Sequence, residues 1–376
     1  MSLLDIILQL NPFFPEGGET QWWFYLVWIL PIFFFIFYGQ RLQMWMVLND
    51  VSKSMNKLKG MKENARKEAV EYAKSISPSM DPTERIDKFL EYFTILPVDM
   101  DPSGIVPKVQ HLMRVRDDRI KAEVRKLSPS MDTLTASKME NILEAATILN
   151  LIFKVVRHFY LMGKKTTSMF YLVQLQMIMP ILLQEAEALN KAITAFKAGQ
   201  PIGDGIGPLI VGKMMLNKEK RTVAKETVVC EDQYNGRTIY LMKAEGPAGS
   251  VGEPGTAVEK LIDDMGVSVN SIIMIDAALK LEGEKTGDVA EGIGAAIGGI
   301  GVDRFQIEEV ATKHGIPVYA IIIKQSILDA ITVMKKEIAE SIDKVSKSIY
   351  NVIDDKTNEG DRVLIIGVGN TLGVAQ

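Results

Sequence analysis

Four glycine-rich segments are the residues most suited to chemistry in this 376-residue chain. They are GQPIGDGIGPLIVGKMM from Gly199 to Met215, EGPAGSVGEPGTAVEKL from Glu245 to Leu261, GDVAEGIGAAIGGIGVDR from Gly287 to Arg304, and GVGNTLG from Gly367 to Gly373. Glycine lets a backbone come close to a ligand, and in open α/β sheets the loops at the carboxyl ends of the strands line the ligand crevice. Gly203, Gly205, Gly249, Gly252, Gly298, Gly299 and Asn370 are therefore candidate ligand contacts. The plain alternative for each glycine is a turn. GVGNTLG follows an apolar run and faintly suggests a nucleotide loop. It does not satisfy GxGxxG, however, and no helix is expected after it to aim N–H groups at a phosphate.

Such loops need strands and helices to hold them, and the chain changes texture near Gly199 to supply both. After it, β-type runs occur at Thr238 to Met242, Ser271 to Ile275, Pro317 to Ile323 and Arg362 to Gly367. The last three are nearly continuous apolar runs, which predicts strands buried on both faces of a largely parallel sheet. Helical patterns lie between them at Thr256 to Asp264, Asp303 to His314 and Ser326 to Val352. This alternation is that of an α/β domain spanning residues 199–376.

Taken in order, these segments resemble the germination protease of spore-forming bacteria and, more distantly, the hydrogenase maturation proteases. GDGIGP (Gly203 to Pro208) is similar to the aspartate-containing loop of both groups, and GSVGEPGTAVEKL to a loop and helix of the germination protease. SIIMIDAAL (Ser271 to Leu279) resembles its strand ending in Ile-Asp-Ala, and GAAIGGIGVDR (Gly294 to Arg304) its glycine-rich loop. GIPVYAIIIKQSILDAITV (Gly315 to Val333) is similar to its next strand and helix. The likeness covers roughly residues 200–340 and implies a three-layer α/β, phosphorylase/hydrolase-like fold. In those proteases a first strand leads into the aspartate loop; here its counterpart is RVLIIGVGNTLG (Arg362 to Gly373), which implies a circular permutation. That strand would insert beside Ile272 to Ile275 and bring Asn370 near Asp204. The chain as a whole also resembles an uncharacterised family of archaeal membrane proteins.

The resemblance implies two catalytic residues, Asp204 and Asp276, and peptide hydrolysis as the activity. Two carboxylates brought close cannot both ionise cheaply, so one pKa rises and the pair can serve as acid and base around a water. The competing structural roles are a turn or N-cap position before the helix that begins near Pro208 for Asp204, and a strand-end residue capping a neighbouring loop for Asp276. A non-catalytic binding or scaffolding module is the second functional reading. The maturation proteases bind nickel with an acidic pair and a histidine, but His111, His158 and His314 are placed in or at the ends of helices. No metal and no cofactor are expected.

Residues 1–198 have a different character. WWFYLVWILPIFFFIFY, from Trp22 to Tyr38, contains no charge and is about the length a bilayer core requires. Aromatic residues at both of its ends suit the headgroup level. Acidic residues and no Lys or Arg precede it, so a retained anchor (residues 21–40) is predicted rather than a cleaved signal. Arg41, Lys53, Lys57, Lys59, Lys62, Arg66 and Lys67 follow it, which places residues 1–20 outside and the main domains in the cytoplasm. The lone Cys230 agrees with a reducing compartment. Residues 41–77 read as a charged juxtamembrane helix that pairs with another helix or another copy of the chain. Residues 78–198 read as a helical domain with segments at Thr83 to Phe93, Pro107 to Lys126, Thr133 to Leu161 and Thr166 to Lys197. Thr166 to Leu183 is also free of charge. Gln174, Gln176 and Pro180 favour a buried bundle helix there, and a second span is the alternative. The net charge of −4 gives no reason to expect nucleic acid as a partner.

Overall fold

The computed structural model describes residues 22–91, 104–299 and 301–375. The expected N-terminal segment 1–20 and the expected helix end at Phe93 lie outside these residues. Helices dominate as far as Ala198: α1 (Trp22–Ile76), α2 (Thr83–Leu90), α3 (Ile105–Leu127), α4 (Thr133–Thr166) and α5 (Met169–Ala198). α1 is one uninterrupted helix of 55 residues with Pro31 inside it, so there is no break where the anchor was expected to give way to a juxtamembrane helix.

The described residues divide into two compact units. One comprises α1 as far as Lys53 together with His158–Met177. In it Gln176 Nε2 donates to Asp50 Oδ2 at 3.3 Å, and Phe33 stacks on Phe37 and Phe34 on Tyr38. The other comprises Ser54–Arg157 and Ile178–Gln376. There α1 and α5 run parallel: Lys57 pairs with Glu187, Asn64 Nδ2 donates to Asn190 Oδ1 at 2.9 Å, and Lys197 pairs with Glu68. Arg66 adds a bidentate pair with Asp87 of α2. Small and apolar residues at helical spacing, including Leu58, Ala65, Ala69, Met139, Ile142, Leu149 and Ala186, fill this part of the bundle.

The second unit also holds a seven-stranded mixed sheet, with spatial order β1-β2-β3-β7-β4-β6-β5. Its strands are β1 (Arg221–Ala224), β2 (Thr227–Tyr234), β3 (Arg237–Ala244), β4 (Ser271–Leu279), β5 (Val289–Ile293), β6 (Val318–Gln325) and β7 (Arg362–Gly367). The middle is parallel, with β7 between β3 and β4 and β6 beyond β4. Both margins are antiparallel, with β2 on β3 and β5 on β6. Val363, Leu364, Ile365 and Ile366 of β7 are all fully buried, because alternate residues enter cores on opposite faces of the sheet. One core is covered by α7 (Pro254–Glu259) and α8 (Val302–His314), the other by α6 (Ile206–Met214) and α11 (Ile342–Lys356).

The expected single helix from Ser326 to Val352 is instead three: α9 (Ile327–Ile331), α10 (Lys336–Ala339) and α11. Between α9 and α10 the backbone is diverted into tertiary hydrogen bonds. Thr332 O accepts from Gly203 N, Val333 bridges Ile202, and Met334 N donates to Pro201 O. Those bonds fix the segment that leads into the aspartate loop.

Candidate functional site

Asp276 lies in β4 opposite Ile322 of β6, one residue beyond the last pairing of β4 with β7. β4 leads onward to α8 on one face, whereas β6 leads to α11 on the other. Adjacent strands that depart to opposite faces leave a crevice at their carboxyl ends. Asp204 enters that crevice from a 3₁₀ turn, Gly203–Gly205, which runs directly into α6. Gln325 Nε2 donates to Gly203 O at 3.1 Å and Gly203 N donates to Thr332 O at 3.2 Å, so the turn is pinned from below. The first turn of α6 rests on the strand ends so closely that a Cβ on Gly207 would lie 2.3 Å from Val368 O and 2.5 Å from Ile275 O. Only glycine permits that approach.

Asn370 completes the arrangement. Its N–H donates to Asp204 Oδ2 at 2.8 Å, its Nδ2 donates to Gly249 O at 3.0 Å, and its Oδ1 accepts from Leu372 N at 2.8 Å. Asp204 makes no cap hydrogen bond to α6. Asp276 is 6% exposed; its Oδ1 accepts from Ala277 N at 2.7 Å, and Gly298 N–H donates to it as well. Loop capping, one of its two expected roles, is thus present.

Burial pushes the Asp276 carboxyl well above the usual carboxylate range, and the neighbouring Asp204 carboxylate pushes it further; the N–H groups of Ala277 and Gly298 oppose both. Burial also raises the Asp204 pKa, against the pull of the Asn370 N–H. No cation contributes to either shift.

The candidate glycines divide into two groups. A Cβ on Gly203 would meet Asp329 O, one on Gly205 would meet Asn370 O, one on Gly249 the Asn141 amide, and one on Gly252 Thr227 Oγ1, so these four are packed against protein. Gly298 and Gly299 face open space, and Gly298 reaches Asp276 through its N–H.

Two family models match in succession: "Protein of unknown function (DUF1512) N-terminal domain" over residues 25–199, and "Domain of unknown function (DUF1512) C-terminal" over residues 202–375. The chain belongs to the DUF1512 family. No curated protein and no solved structure matches it. In this DUF1512 chain the two matched regions meet at the segment that delivers Asp204.

The N-terminal DUF1512 region contributes to the surroundings of the site. Arg114 of α3 makes a bidentate pair with Glu253, at 3.0 and 2.6 Å, just ahead of α7. Gln110 donates to Thr256 at 3.1 Å, Lys225 donates to Asp118 at 2.8 Å, and Lys121 pairs with Glu226. Asn141 of α4 lies against Gly249 and so roofs the loop that Asn370 holds. Beside it Glu140 is pushed up to about 7 by burial, with Lys121 opposing and Glu226 and Glu144 reinforcing the shift.

Sequence reasoning missed this roof, because helical periodicity identifies an apolar face but not what that face meets. It also missed Lys243 in β3, 1% exposed, whose Nζ donates to Ala244 O at 3.0 Å. Burial lowers its pKa to about 8. The available signal was a lysine inside the apolar run YLMKA. No group of three metal-binding side chains occurs among the described residues, and His314 instead meets Asp263 at 2.6 Å.

Proposed function

We propose that this DUF1512 protein is membrane-anchored through the charge-free part of α1, and that its α/β domain is an aspartate-pair peptidase whose catalytic residues are Asp204 and Asp276. The observation that carries the catalytic part is the buried Asp276 carboxyl, raised by burial and by the neighbouring Asp204, in the crevice at the ends of β4 and β6. The pair holds one proton. Asp276, raised further, keeps it; Asp204 carries the negative charge, stabilised by the Asn370 N–H and by the N-terminal end of α6. Ionised Asp204 takes a proton from water as it attacks the scissile carbonyl. Protonated Asp276 then donates to the carbonyl oxygen, and proton return to the amide nitrogen releases the amine. The Gly298–Gly299 side, where glycine faces open space, is the approach for an extended peptide. The resemblance of the aspartate motifs to those of the germination protease supports the substrate class, and β7 standing where a permuted first strand would stand supports the fold relationship. The charge-free run, its aromatic ends and the basic residues after it support the anchor.

A second reading, a non-catalytic binding or scaffolding module, is favoured by the roof. Asp276 is nearly covered, and α3 and α4 are fastened over the loops by Arg114, Lys121 and Asn141. Thermal melting beside a peptide-cleavage screen separates the two readings, using the full chain, Asp204→Asn and Asp276→Asn. Loss of cleavage in both variants with unchanged or raised melting supports the peptidase. Destabilisation of about 1 to 3 kcal/mol, with no cleavage in any form, leaves the scaffold.

A further inference from the structure

We infer that the α4–α5 hairpin tip is a second membrane contact, which lies in the headgroup layer of an anionic bilayer without crossing it. This inference rests on the reading of α1 as the anchor. Between Glu144 and Glu185 the sequence holds no acidic residue, but it holds Lys154, Arg157, Lys164 and Lys165. The tip belongs to the same compact unit as the first part of α1. Within that unit Phe159, Phe170 and Met177 of the hairpin are 39%, 64% and 75% exposed, and Leu42 and Trp45 of α1 are 43% and 63% exposed. Lys164 and Lys165 are exposed in the last turn of α4. An apolar, aromatic and mainly basic surface, in which Asp50 is the one acid among the unit's described residues, has the composition of interfacial helices, whose apolar face sinks roughly 5–10 Å into the headgroup boundary. Anionic lipid is the complementary partner for its charge.

The level of the hairpin excludes a second span. Within the first unit Gln176 is hydrogen-bonded to Asp50. Met169, the first residue of α5, is about two helical turns from Gln176 and so lies no nearer the anchor than about the level of Gln43, beyond the charge-free run that ends at Tyr38. A helix beside the stretch of α1 that has already left the bilayer core cannot cross that core, but its tip reaches the surface.

Depth-dependent quenching tests this on the full chain, reconstituted in vesicles of phosphatidylethanolamine and phosphatidylglycerol. An environment-sensitive fluorophore is attached at Phe170→Cys, and separately at Lys165→Cys, an exposed last-turn position where no packing is lost. Phe33→Cys reports the anchor and Glu359→Cys the aqueous phase. Cys230 is buried, and the parent chain measures its background labelling. The expected result is that probes at 170 and 165 are blue-shifted, protected from iodide, and quenched more by lipid spin-labelled near the headgroup than near the chain ends. Replacing phosphatidylglycerol with phosphatidylcholine should weaken that quenching. Position 33 should show the deep pattern. Iodide access at 170 and 165 equal to that at 359, with 33 still deep, overturns the inference and leaves the anchor. Iodide access at 33 overturns both. Deep quenching at 170 makes α5 a span. Protection from iodide without lipid quenching means a protein partner covers the tip. Either of these last two results also overturns the inference.

Discussion

Asp204 and Asp276 lose solvent without gaining a cation, and that sets their effect on stability. A carboxyl whose pKa is raised by folding binds its proton more tightly in the native state. Its contribution is therefore fully present below the unfolded pKa and is lost as pH rises through the folded one. The pair should thus weaken the fold as pH climbs out of the carboxylate range, and Asp276→Asn should flatten that slope; melting curves across pH for both forms measure it. Lys243 behaves in the opposite sense, because its pKa is lowered to about 8, so the cost of burying its charge grows as pH falls from the ordinary lysine range and is complete below that value. Lys243→Met should raise stability at neutral pH by about 1–3 kcal/mol, a gain that shrinks as pH rises through about 8; denaturant melts at both ends of that range check it. At this scale the sequence was partly legible. Both aspartates sit in glycine-rich or strand-end contexts that mark them, whereas the roles of Asn141 and Gln325 depend on contacts between segments far apart in the chain.

Among the elements, β7 carries the most weight. Its central, doubly buried position was legible because four consecutive apolar residues leave no face for water. Ile365→Ala should cost about 2–5 kcal/mol, and removal of residues after Gly360 should abolish the cooperative melt of the α/β region, read by far-UV circular dichroism of the full chain. Three strands were not anticipated. β2 and β3 form a hairpin through Asn235-Gly236, both at positive φ, a two-residue turn signal that was open to reading. β1 and β5 are short and only partly buried, and their alternation is too weak to read. The helix expected from Ser326 to Val352 failed for a tertiary reason, since periodicity cannot register that Thr332 and Met334 are bonded to the Pro201–Gly203 segment.

For the molecule as a whole, the proposed anchor and its proposed orientation make the simplest prediction: a reporter fused after Gln376 should read as cytoplasmic in intact cells. An external reading would mean either the opposite orientation of α1 or a second crossing after it. The helical half was legible as helices but not as a partner of the sheet, because the ion pairs from α3 to Glu253 and Glu226 join residues more than a hundred positions apart. The order of strands in the sheet has a consequence for synthesis. β3 and β4 flank β7, yet both emerge from the ribosome well before it, and each then presents an unpaired edge across a gap one strand wide. Such edges are templates for wrong pairing. Until Arg362–Gly367 arrives, the nascent domain has its margins in place and its middle missing. A released chain truncated after Asp361 should therefore be held by chaperones or cut by added protease, whereas the released full chain should resist it.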